Sequence, residues 1–124
     1  MIESQSTFEQ QSILIKCSDF YEAWCSGKVV DGTELNEGFS DQERLYCLSQ
    51  VRPSESLSVR FAAKRAASLI SGHHWSAYRV VRSENGVPEL EGPEGPWYVT
   101  LSHDSDLAVA YVMRATRPNT PEHQ

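Results

Sequence analysis

PSESLSVRFAAKRAASLISG, residues 53–72, opens with a proline, carries alanines at 62, 63, 66 and 67, and ends in glycine. Proline fits the first turn of a helix, alanine propagates one, and glycine stops it, so this stretch predicts a long helix from Pro53 to Gly72. Upstream, Ser40 and Glu43 stand three apart in the capping-box arrangement and open a shorter helix through Leu48. Asp19 to Ser26 reads as a further helix stopped by Gly27, and Ile13 to Cys17 (ILIKC) as a short strand. Downstream, Tyr78–Arg82, Val87–Leu90, Trp97–Ser102 and Leu107–Met113 alternate as strands. Asn85-Gly86 predicts a tight hairpin with both central residues at positive φ, and His103 to Asp106 a second turn. Helices followed by an antiparallel sheet, with one separate N-terminal strand, make the fold class α+β with a long central helix.

The chain has 124 residues, 40% hydrophobic and 23% charged, enough for one small domain and too little for two. Composition places that domain at 12–114, between polar ends at 1–11 and 115–124 that read as disordered. A net charge of −6 argues against broad nucleic-acid binding and against a polybasic membrane surface. No apolar run reaches the roughly 18 residues of a membrane span, and the start MIESQSTFEQQS lacks the features of a signal peptide, so the expected compartment is the cytoplasm. Cys17, Cys25 and Cys47 fit neither a metal knuckle nor a redox motif and read as small hydrophobes. The four histidines are too scattered to suggest zinc.

Charge is segregated along the chain. From Arg52 to Arg82 there are six bases, Arg52, Arg60, Lys64, Arg65, Arg79 and Arg82, against the single acid Glu55, a face suited to a phosphorylated ligand or an acidic partner. Arg65 shares a stripe with Leu57, Phe61 and Leu69 at i, i+4 spacing, so it needs an anion, a carboxylate or an opening to solvent. Lys16 falls on the strand face of Leu14, opposite Ile15 and Cys17.

The segments FSDQERLYC (39–47), RFAAKRA (60–66), NGVPEL (85–90) and TLSHD (100–104) with LAVAYV (107–112) resemble, in order and spacing, the holo-acyl carrier protein synthases of the 4′-phosphopantetheinyl transferase superfamily. The resemblance runs from about Ser12 to Met113 and implies that superfamily's fold. It also implies its activity, transfer of 4′-phosphopantetheine from coenzyme A to a serine of an acyl carrier protein, in a homotrimer whose sites form between subunits. In the family Mg²⁺ bridges the pyrophosphate, held by an aspartate on the first strand and a glutamate on the long helix, because a hard cation needs oxygen ligands.

At those two positions this chain has Lys16 and Arg65, and the family's lysine four residues after the glutamate is Leu69. The helix that usually lies between the family's last strands is reduced to Glu91 to Pro96. A unit positive charge about 5 Å from a divalent ion costs roughly 7 kcal/mol at an effective dielectric of 20, so two of them argue against Mg²⁺ there. The same cations suit a pyrophosphate, and Asp19 is the acid that would support a displaced metal. The resemblance thus implies Lys16, Lys64, Arg65 and His103 as catalytic candidates and Arg60, Lys64, Ser102 and His103 as coenzyme A contacts, with no metal ligand assigned. The expected partners are coenzyme A and an acyl carrier protein. The alternative is a non-catalytic module, a pseudoenzyme that binds a carrier protein or coenzyme A in a fatty-acid or polyketide pathway.

Overall fold

The nine-residue strand β1, Phe8–Lys16, pairs antiparallel with the last strand from Phe8↔Ala115 to Lys16↔Leu107 in a computed structural model that describes residues 8–115. The N-terminal extension expected at 1–11 is therefore corrected: Phe8 to Gln11 are strand, and so is Ala115 at the other end. Their composition hid this, because every second side chain of FEQQSILIK faces solvent and need not be apolar. The rest of the two expected disordered ends lies outside the described residues.

Helix α1, Cys17–Cys25, starts two residues before the expected Asp19, where Asp106 takes up its first amides: Cys17 N–H donates to the Asp106 carbonyl (2.7 Å) and Ser18 N–H to Asp106 Oδ1 (3.0 Å). Two short strands that the sequence did not suggest follow, β2 (Val29–Val30) and β3 (Thr33–Glu34). Helix α2, Asp41–Leu48, carries both bonds of the predicted Ser40–Glu43 capping box. Helix α3, Pro53–Ser71, ends at Gly72 in the left-handed conformation (φ +83°).

Strands β4 (Arg79–Arg82) and β5 (Pro88–Glu91) form one hairpin; β6 (Tyr98–Asp104) and β7 (Leu107–Ala115) form the other. In the first turn only Gly86 has positive φ (+83°), not Asn85 as well: Gly86 N–H closes on Ser83 O (2.9 Å), and the longer loop places the left-handed residue last. The second turn is just Ser105-Asp106, with Ser105 at φ +56°. The N-terminal strand is not separate, since the main sheet has the order β1-β7-β6. Between β5 and β6 the described chain forms no helix, in line with the shortened 91–96 segment.

Helix α3 lies across the inner face of this sheet. Ala62, Ala63, Ala66 and Ala67 are fully buried against Ala110 and Val112, and small side chains on both surfaces allow the close approach. A second cluster of Phe20, Leu35, Phe39, Leu57 and Trp75 joins α1, α2 and α3. Gly38 is required there, because a Cβ would sit 2.0 Å from the Trp75 ring. The outer face of the sheet exposes Phe8, Leu14, Leu107, Tyr98 and Tyr111.

Candidate functional site: an arginine-lined pocket

Lys64, expected at a ligand phosphate, has no accessible surface. Its ammonium donates to Glu43 Oε1 (2.7 Å) and to the Tyr78 carbonyl, and sits 4.7 Å from the centre of the Phe39 ring. Glu43 in turn accepts from Ser40 N–H and from Val80 N–H (2.8 Å), so one carboxylate ties α2, α3 and β4 together. Burial pulls the Lys64 ammonium below the ordinary lysine range, and Glu43 works against that. Lys64 is thereby corrected from a candidate ligand contact to a structural charge. The reason is that α3 presents this turn to α2 rather than to an opening.

Arg65 finds a carboxylate that the sequence did not single out: its Nη1 donates to Asp31 Oδ2 (2.5 Å) in the β2–β3 turn, 34 residues away, and its side chain stays partly exposed. Asp19, the acid named for a displaced metal, is not its partner. Strand alternation places Lys16 with Leu14 on the outer sheet face. The same rule separates Ser102 from His103: Ser102, opposite Val109, faces outward, whereas His103, opposite Ala108, faces α3. Of the candidates, Arg60 and His103 meet in one cavity among the described residues.

That cavity, of about 450 Å³, lies between α2, α3, β4, β5 and β6. Arg52, Arg60, Arg82 and His103 converge on it, and Glu55 is the one acid among its described lining residues. Tyr46 fixes two of the cations, with Arg60 stacked 4.6 Å and Arg82 5.0 Å from its ring centre. Arg60 is only 3% exposed; its Nη1 donates to Ser56 Oγ (2.9 Å), while its buried Nε has no partner. Arg82 is braced by the Gly86 carbonyl (2.5 Å). Arg60 and Arg82, stacked on Tyr46 rather than paired with carboxylates, leave guanidinium donors at the cavity for an incoming anion. Sequence reasoning found the basic segment but missed Tyr46, Ser56 and the convergence of Arg52 with Arg82. The signal available was Glu43 and Tyr46, three apart on one side of α2.

No family model matches the chain. The holo-[acyl-carrier-protein] synthase of Syntrophotalea carbinolica is 33% identical over 96 residues, 64% of this chain and 75% of that protein. The chain belongs to the holo-acyl carrier protein synthase family. The fold agrees: the Bacillus anthracis synthase in complex with CoA (3′,5′-ADP) superposes with a TM-score of 0.71 at 20% identity, covering 87% of this chain and 96% of that one. The Helicobacter pylori synthase in complex with coenzyme A gives 0.69 at 17% identity, over 87% of this chain and 100% of that one.

Among the described residues of this member of the synthase family, no cysteine lines the pocket. Burial pushes the Cys17 and Cys47 thiols up, whereas Cys25 is exposed. Ellman's reagent at pH 8 is expected to titrate one thiol per native chain, Cys25, and all three after denaturation. Rapid labelling of more than one native thiol would contradict the packing around Cys47.

Proposed function

We propose that the chain transfers 4′-phosphopantetheine from coenzyme A to a serine of an acyl carrier protein, holding a phosphate of coenzyme A in the Arg52–Arg60–Arg82–His103 pocket. The observation that carries this is the buried Arg60, which lines the cavity with Arg52 and Arg82 and whose Nε has no partner among the described residues. Transfer breaks the pyrophosphate P–O bond and forms a P–O bond to the serine oxygen, releasing adenosine 3′,5′-bisphosphate and passing the hydroxyl proton to the departing phosphate or to water. Negative charge grows on the departing group, and fixed guanidinium groups around it need no reorganisation as it does so. A bound Mg²⁺ would supply neutralisation of the pyrophosphate charge. Here the two family positions offer an ammonium, Lys16, and a guanidinium already engaged by Asp31, neither of which ligates a cation. The residues do not fit the metal, and no step runs through it.

The decisive assay is incorporation of labelled phosphopantetheine into apo-acyl carrier proteins, read by mass spectrometry. Absence of any mass shift, with coenzyme A still bound, would favour the alternative of a non-catalytic binding module. That reading draws on Lys64, which is consumed by Glu43 rather than offered to substrate. Titration with Mg²⁺ is expected to give no heat of its own, and a chelator to leave coenzyme A affinity unchanged. A Mg²⁺ ion coordinated by Asp19, with Lys16 turned away, would overturn that expectation.

The proposal includes a homotrimer. The exposed apolar side chains Phe8, Leu14, Leu107, Tyr98 and Tyr111 share the outer sheet face with Lys16 and Ser102, so a second copy covering it would bring these groups towards another subunit's site. Light scattering at micromolar concentration is expected to give three times the chain mass, and a monomeric mass would remove the shared-site arrangement. No helix among the described residues is long and apolar enough to cross a membrane; the cytoplasmic setting is part of the proposal.

A further inference from the structure

Glu55 lies in the first turn of α3 and points into the pocket, among its arginines and beside the His103 imidazole. Its Oε2 is 3.3 Å from Arg52 Nη1 and its Oε1 is 3.3 Å from His103 Nδ1. Both contacts are long for charge-assisted hydrogen bonds, and the carboxylate itself is largely shielded while Arg52 and His103 remain exposed. No other acid lines the cavity among the described residues. Arg60 behaves differently, because its partners are Ser56 and the Tyr46 ring, neither of which competes with an anion.

From this arrangement we infer that Glu55 is the pocket's internal counter-anion: it occupies Arg52 and His103 when no ligand is bound, and an incoming phosphate group must displace it from both. Glu55 is a positioning residue that sets affinity downward, making release easier, while Arg60 supplies the fixed part of the attraction. The inference rests on the reading of this cavity as a phosphate site. Its physical basis is simple. A carboxylate beside the bound anion repels it, and the two donors it holds must be freed before the ligand can use them. The device suits a protein that has to let go of a bisphosphate product after each transfer, because a pocket of three unopposed arginines would retain it.

The test is calorimetric titration of coenzyme A and of inorganic pyrophosphate into the full chain and its Glu55→Gln variant. Glutamine keeps the shape and removes the charge. The expected result is binding tighter by about tenfold, near the middle of the range Coulomb's law gives for unit charges roughly 6 Å apart in surroundings between water and a protein surface. In an Arg52→Gln/His103→Asn background the same change is expected to give a smaller gain, because the groups that Glu55 holds are gone. A merely structural role for Glu55 would weaken binding instead, and a melting curve of the variant identifies any loss of fold. Parent protein that binds coenzyme A, together with unchanged or weaker binding by Glu55→Gln, overturns this inference alone. Parent protein that binds neither probe overturns the phosphate-site reading and this inference with it.

Discussion

Replacing Glu43 by glutamine is expected to destabilise the protein by about 3–5 kcal/mol, the usual consequence of stripping one partner from a buried ion pair. That is a large part of a single domain's stability of roughly 5–15 kcal/mol. The Lys64 ammonium would lose the charge of its partner, although the glutamine amide oxygen can still accept from it and from Ser40 N–H. The amide NH2 that replaces the second oxygen would confront the Val80 N–H, donor against donor. The pH dependence follows from the lowered Lys64 value. Between that value and the unfolded value near 10.5, the unfolded chain holds more protons than the native one, so stability attributable to this group rises with pH. Without Glu43 the folded value drops further and the window widens. Urea unfolding of Glu43→Gln at pH 7 and at about pH 9.5 is therefore expected to show a deficit that shrinks at the higher pH. A second replacement, Lys64→Met, is expected to recover most of the loss. A Glu43→Gln protein as stable as the parent at pH 7 would mean that Lys64 reaches solvent.

Arg60→Gln is expected to weaken coenzyme A binding by about thirtyfold to several thousandfold, the 2–5 kcal/mol typical of removing one member of a buried charge contact. Stability should hold or increase. Arg60 has no carboxylate partner, so its burial costs desolvation that Ser56 and the Tyr46 ring offset only in part. Loss of binding together with retained or raised melting temperature marks a residue kept for its ligand. Loss of fold with binding unchanged would assign Arg60 to the core instead. Calorimetry and a melting curve on the same sample separate the two outcomes.

What the sequence by itself determined is local. The capping box at Ser40–Glu43, the proline start and glycine stop of α3, and the glycine in the β4–β5 turn are encoded within a few residues, and each appears where expected. The segregation of bases between Arg52 and Arg82 was also visible, and three of those six side chains line the pocket. Strand alternation already contained the separation of Ser102 from His103, although the family resemblance placed both as coenzyme A contacts.

Only the tertiary structure decided which charges are free. Lys64 and Arg65 are adjacent in sequence, yet neighbouring helical positions point about 100° apart, so one is sealed against Glu43 and the other reaches Asp31. Glu43 looked like a helix cap alone, and its second and third tasks depend on α3 and β4 arriving 21 and 37 residues later. β1 begins at Phe8 because β7 is there to pair with it, a partner about a hundred residues away that composition cannot announce. Caps and turns depend on neighbours in the chain and can be read from it. Ion pairs and sheet edges depend on neighbours in space, and the fold selects those.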